Sequence, residues 1–178
     1  MRTSKKPAAI SIAAATLGDA RALAALRTGV AQEMTREFGA GHWSARPGKA
    51  QVVRQLRASQ VLVARQGADI IGTVRLVQPV LGAIDSSAFT QVEKPLYVLG
   101  LAVAPQCRRQ GVGRQLMAAA QDAALTSGAQ ALWLDAYEHA AGAGPFYMKC
   151  GFRRVGATKH RGVPLIYFEW LAARYGSP

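Results

Sequence analysis

The sequence predicts an α/β (α+β) fold in which helices cover a mixed sheet. Three observations point there: two strands joined by a short turn in the first half, a strand–helix–strand unit in the second, and the element order β-α-α-β-β-β-α-β-α-β-β. A doubly wound nucleotide fold alternates strand and helix from the start, and this order does not.

Each element has its own signal. Residues 10–15, within an apolar run from residue 8, read as the first strand. Thr16 offers a hydroxyl cap, with Asp19 three residues on as an imperfect capping box. Leu23, Leu26, Val30, Met34 and Phe38 recur at helical spacing, which predicts an amphipathic helix to about Glu37. Residues 39–48 form a polar, glycine-bearing loop carrying His42 and Trp43. A shorter helix over residues 50–58 places Val52, Val53 and Leu56 on its apolar side. Strands follow at residues 61–65 and 70–77, joined by the hairpin turn Gln66-Gly67-Ala68-Asp69. Residues 79–93 lack periodicity and read as an irregular excursion. Residues 96–104 are apolar almost throughout, as in a central strand buried on both faces, and Pro105 ends them. Good helix formers fill residues 112–126, and Gly128 closes that helix. A buried strand at 131–136, a short helix at 144–149 and strands at 152–155 and 163–170 complete the chain, with Arg161-Gly162 marking the last turn.

Composition narrows the function classes. A chain of 178 residues suffices for one domain with a real core and is short for two. Hydrophobic residues make up 50% of it, which excludes a disordered or collagen-like chain. The longest apolar stretches, residues 98–104 and 8–15, fall well short of the roughly 20 residues a membrane span needs. Arg2, Lys5 and Lys6 before an apolar run imitate a secretory signal. That run is short, lacks leucine and leads straight into the Thr16 helix start, so it reads as a strand. Cys107 and Cys150 have no metal-like spacing; neither a disulfide framework nor a metal site is expected, and a reducing cytoplasm fits. The net charge is +12, from 22 Lys+Arg against 10 Asp+Glu. The positives are scattered, with tight pairs at Lys5/Lys6, Arg108/Arg109 and Arg153/Arg154, and this describes a solvated basic surface better than a nucleic-acid groove.

The most informative stretch is residues 98–116: an apolar strand, Pro105, then Arg108-Arg109-Gln110-Gly111-Val112-Gly113-Arg114 opening a helix. Two glycines remove the Cβ atoms that would block a ligand. The first helical turn exposes unpaired N–H groups at its positive end, and three arginines add charge, so the segment suits a pyrophosphate. A Walker loop needs Gly-Lys followed by Ser or Thr, which is absent. A dinucleotide fingerprint needs a third glycine where Leu116 stands.

Further on come Gly142-Ala143-Gly144-Pro145-Phe146-Tyr147-Met148-Lys149-Cys150-Gly151-Phe152. Arg108-x-x-Gly111-x-Gly113 after a strand, then Phe146-Tyr147 and Gly151-Phe152, resembles the GNAT acetyltransferase superfamily. The opening, with Ile10-x-Ile12, Asp19-Ala20 and Leu26-Arg27, is also similar, and the resemblance covers about residues 10–170. It implies a mixed, mostly antiparallel sheet of six or seven strands with a splayed central strand, flanked by about four helices. The organisation it implies is a basic tail over residues 1–9, a single domain over 10–172 and a tail over 173–178. The implied activity is acetyl-CoA-dependent N-acetylation of a primary amine, on a small molecule or a protein, by direct transfer. Leu101, Ala102 and Val103 would pair with the pantetheine arm. The amides of Arg109, Gln110, Gly111, Val112, Gly113 and Arg114, beside Arg108, would hold the pyrophosphate. Phe146 and Tyr147 would contact the cofactor, Tyr147 near the sulfur as general acid to the departing thiolate, with a backbone N–H near Ala102–Val103 supporting the oxyanion.

Two departures stand out. Where many members carry a glutamate base on the central strand, this chain has Leu99 and Gly100; where many carry an asparagine after the next strand, it has Ala140. The base is therefore open among Asp135, Glu138, His139, Glu33 and Glu37, or no dedicated group at all. His42 and Trp43 lie where the family shapes its acceptor pocket, and Asp85 could attract a cationic amine. The competing expectations are a catalytically silent acyl-CoA-binding module of the same fold and a basic nucleic-acid-associated protein; the latter has no helix-turn-helix, zinc-finger or RNP-like signature behind it. No membrane partner is expected, and a homodimer, common in the family, is left open.

Overall fold

The computed structural model describes residues 9–79, 84–160 and 162–173. The tails expected over 1–9 and 173–178 lie outside these, save Ala9 and Ala173, as do residues 80–83 of the excursion and Arg161 of the last turn.

Among the described residues, seven strands form one sheet, with four helices packed on it. The strands are β1 (Ile10–Ala14), β2 (Gln60–Gln66), β3 (Asp69–Val77), β4 (Pro95–Val103), β5 (Ala131–Tyr137), β6 (Arg153–His160) and β7 (Val163–Leu171). The helices are α1 (Ala20–Phe38), α2 (Lys49–Ala58), α3 (Val112–Thr126) and α4 (Gly144–Lys149). The order across the sheet is β1-β2-β3-β4-β5-β7-β6. Every neighbouring pair is antiparallel except β4 with β5, which the α3 crossover makes parallel.

Local chemistry explains the element ends. The Thr16 amide donates to Asp19 Oδ2 at 2.7 Å, which starts the chain into α1 through a single 3-10 turn. Gln66 faces Asp69 across Gly67-Ala68, so the β2–β3 hairpin closes on two residues, with Gly67 at φ 63°. Strand β6 is longer than its apolar letters suggest. It is one of the two sheet edges, carries Arg153, Arg154, Thr158 and Lys159, and owes its length to backbone pairing with β7 rather than to burial.

Burial divides by sheet face. Leu62, Val74, Leu76, Val98, Leu132 and Leu134 meet Val112, Leu116 and Met117 of α3 on one face. On the other, Leu23 of α1 and Val52 of α2 cover Val61 and Val63, while Phe89 of the excursion stacks on Trp133 with ring centroids 4.5 Å apart. Phe89 also meets Tyr97 and Tyr167.

The central strand corrects one expectation. Strand β4 is buried only over Leu96–Val98; Gly100 is exposed and residues 101–103 are half-buried. An apolar run signals burial only while both neighbours stay alongside, and β5 leaves β4 after three residues.

Candidate functional site

Strands β4 and β5 pair only through Pro95, Leu96 and Tyr97 with Ala131, Leu132 and Trp133. Both strands continue, diverging, to Val103 and Tyr137. A register shift between Thr73 and Arg75, opposite Gly100 at φ 61°, turns β4 away from the common direction. The Ala104 amide donates to Ile71 of β3 at 2.8 Å. Strand alternation then directs the Ala102 amide to β3, and the Leu101 and Val103 amides and carbonyls into the opening. This open edge can accept an extended chain as an additional strand.

The opening meets the start of α3. Arg109 (φ 62°) and Gly111 (φ 80°) are left-handed, while Arg108 between the preceding 3-10 turn and Arg109 is not. Alternation of this kind turns successive N–H groups into one concavity that suits an anion. The Gln115 amide makes the first helical bond, to Gly111 at 3.0 Å, so the amides of Val112, Gly113 and Arg114 have no acceptor within the helix. A Cβ on Gly113 would stand 3.2 Å from the Phe146 ring and 3.7 Å from Val103. The bare glycine thus lets α3, α4 and β4 converge. Gln110 reaches back to the Gln106 carbonyl at 2.9 Å, and Arg108 faces Glu37 of α1 at 3.8 Å. The donors, charge and free edge fit a pyrophosphate continued by an extended arm.

Helix α4 packs Tyr147 into the cluster on the α3 side of the sheet. Its ring is 9% exposed, wedged among Phe146, Phe152 and Phe168 at 5.5 to 6.1 Å between centroids. Its hydroxyl has no hydrogen-bond partner among the described residues, yet it is not sealed from solvent. Burial, reinforced by Asp135 and by the nearby Cys150 thiol, pushes the phenol above its ordinary value.

The opposite face carries Asp135. The Tyr97 hydroxyl donates to its Oδ1 at 2.6 Å, and burial together with Asp135 raises the Tyr97 phenol. Tyr137, two residues along β5, is raised for the same two reasons. Over this face lies an aromatic roof from the loop after α1. Trp43 stacks on His139 at 5.3 Å and meets Tyr137 edge-on at 5.5 Å, His42 approaches Tyr137 at 6.1 Å, and Phe38 contacts both Trp43 and His139. The Trp43 indole donates to the Gly39 carbonyl, which holds the loop in place.

The other carboxylates named from sequence are occupied elsewhere. Glu33 pairs with Arg36, Glu37 faces Arg108, and Glu138 faces Arg154 at 3.8 Å. Asp85 caps the 3-10 turn at residues 86–88 through the Ser87 amide. His139 accepts the Ala141 amide on Nδ1 at 3.0 Å, which places the proton of the neutral ring on Nε2 and leaves no free acceptor nitrogen. Sequence reading missed Tyr97, Tyr137 and Phe38. The period-2 placement of Tyr137 after Asp135 was a usable signal; the contact of Phe38 with residues far along the chain was not.

A family model described as the acetyltransferase (GNAT) family matches residues 28–152. No curated protein sequence matches the chain. Among solved structures, the chain is similar to a ribosomal-protein-alanine N-acetyltransferase from Brucella melitensis (TM-score 0.72, 17% identity, 91% of this chain and 99% of that one). It is similar to PaiA N-acetyltransferase from Thermoplasma acidophilum in complex with coenzyme A (TM-score 0.71, 14% identity, 92% and 99%). A third is YncA from Salmonella typhimurium with its cofactor acetyl-CoA (TM-score 0.68, 16% identity, 96% and 98%).

Proposed function

The chain belongs to the acetyltransferase (GNAT) family, and from that premise we propose that it is an acetyl-CoA-dependent N-acetyltransferase acting by direct transfer on a primary amine. The observation that carries this reading is the junction of the left-handed turn before α3 with the unpaired edge of β4. Two of the similar structures hold coenzyme A or acetyl-CoA, which supports the same ligand here.

Bound acetyl-CoA supplies the thioester as acyl donor. The amides of residues 109–114, with Arg108, hold the pyrophosphate; Leu101 and the Val103 carbonyl pair with the pantetheine arm, and Ala102 and Phe146 form its walls. Asp135 lies on the sheet face that carries Tyr97, and Tyr147 packs on the face covered by α3. Acid and base therefore stand on opposite faces of the sheet. Asp135, oriented by Tyr97, accepts the proton that an ammonium acceptor must lose. The Val103 amide, turned into the opening, supports negative charge on the acyl oxygen. Tyr147, kept protonated by its surroundings, donates toward the sulfur. The amine arrives beneath the roof of Trp43, Tyr137 and His139.

The test is release of free thiol from acetyl-CoA across a panel of primary amines, for the native chain and Asp135→Asn. The carboxamide oxygen of that variant still accepts from Tyr97, so the fold is kept while the base is lost. The reading expects amine-dependent release in the native chain and a fall in kcat of about 10²- to 10⁴-fold in the variant. Equal turnover by both would remove Asp135 from its role; absence of release with every amine would count against the activity.

A further inference from the structure

We propose that the acceptor amine carries a carboxylate, and that Arg27 and Arg75 hold it beside the Gly100 bulge of β4. The inference rests on the acetyltransferase reading above and names its substrate class.

Arg75 stands on β3 opposite Leu99, on the sheet face that also carries Asp135. Arg27 reaches from α1, its Nη2 3.7 Å from the place a Gly100 Cβ would take. Its Nη1 donates to Gln55 of α2 at 2.6 Å, which fixes the guanidinium while using one of its five N–H donors. Both arginines are half-buried. Burial lowers both pKa values, and Arg75 lowers that of Arg27 further by repulsion. All ten acidic residues of the chain are among those described, and none comes within 4.0 Å of either guanidinium. Five of them pair with other arginines: Asp19 with Arg65, Glu33 with Arg36, Glu37 with Arg108, Glu138 with Arg154 and Glu169 with Arg153. Of the half-buried arginines, Arg65 and Arg108 face carboxylates, whereas Arg27 and Arg75 converge without a counter-ion.

Two like charges partly withdrawn from water repel each other, and an anion between them relieves that repulsion. The arginines share a cavity with Leu23, Gln55, Thr73 and Gly100. Its free volume is about 20 Å³, little more than one water requires by the same measure. So little space admits no bulky group between the arginines, and guanidinium forks match the planar, two-oxygen head of a carboxylate in bidentate fashion. No unpartnered guanidinium nitrogen among the described residues is sealed from solvent, so the free donors stay open to a ligand. Gly100 adjoins Leu101, whose backbone faces the opening, so a carboxylate held here stands beside the opening proposed for acetyl transfer.

The experiment offers each of the common amino acids and its carboxamide, with acetyl-CoA, to the native chain, Arg75→Gln and Arg27→Gln. Thiol release and melting temperature are both followed. At least one acid should exceed its amide in kcat/KM by about 10- to 100-fold. That preference should collapse to near unity in both variants, with amide turnover little changed. The preferred acid should raise the melting temperature of the native chain and not of the variants. Arg75→Gln should itself melt no lower than the native chain, because it removes an uncompensated charge. Equal turnover of acids and amides, a preference that survives both substitutions, or a stronger response to O-phosphoethanolamine than to any carboxylate would overturn the assignment. Failure of acetyl-CoA to bind in calorimetry marks failure of the acetyltransferase reading instead; the melting shifts then decide the arginine pair alone.

Discussion

At Tyr147 the burial that fixes the ring also decides what its hydroxyl can do. The side chain sits in an aromatic wedge, but the oxygen has no partner among the described residues, so replacing it orphans no other group. Tyr147→Phe should therefore leave the melting temperature almost unchanged while kcat falls about 10²- to 10⁴-fold, a split that a purely structural tyrosine would not give. The sign of the pH effect follows from the raised pKa. A phenol pushed above its ordinary value of about 10 remains a donor at every lower pH, so this group contributes no alkaline loss of kcat up to about pH 10. An alkaline limb near pH ~8 that vanishes in Tyr147→Phe would contradict this. The motif Phe146-Tyr147 was legible in the sequence, as were its near neighbours Cys150 and Phe152, whereas Asp135 of β5 and Phe168 of β7 are brought in only by the sheet.

Among the elements, α3 shows how one glycine conformation can serve two purposes. Gly111 at its start and Gly128 just beyond its end are both left-handed, at φ 80° and 74°. An alanine at either costs about 1–2 kcal/mol of stability on conformational grounds. Only Gly111 faces the proposed pyrophosphate, so Gly111→Ala should also weaken acetyl-CoA binding about tenfold, while Gly128→Ala should lower the melting temperature without moving the Kd. Parallel melting and titration of the two variants check this, and equal Kd values would detach the turn from the cofactor. Helices α3 and α4 were readable to within a residue, because good formers, Pro145 and closing glycines punctuate them. The divergence of β4 from β5 was not readable from periodicity, since an apolar run records what a strand could bury and not where its neighbour goes. Only the family resemblance announced it. The edge strand β6 was underestimated for the converse reason: backbone pairing extends it where side chains give no signal.

For the whole molecule, the +12 charge gains a direction once the ion pairs are known. Five of the ten carboxylates face arginines, and the excess of 22 Lys+Arg over 10 Asp+Glu remains for ligands. A polyanionic donor should be steered by this field, and its KM should rise several-fold between about 0.05 and 0.5 M salt as the screening length shrinks. A salt-independent KM would leave the charge without a part in binding. The order of signals along the chain was enough to count seven strands and four helices, but not to order the sheet, in which β7 inserts between β5 and β6 and a single parallel pair marks the site. The claim on which the account turns is that the α3 turn and the open β4 edge hold acetyl-CoA. Calorimetric titration of the purified chain with acetyl-CoA tests it, beside Gly113→Trp, whose indole would fill the junction with Phe146 and Val103. Saturable binding of one molecule per chain, abolished in a variant whose circular dichroism is unchanged, is the expected result. No binding by the native chain, or equal binding by both, would contradict the account.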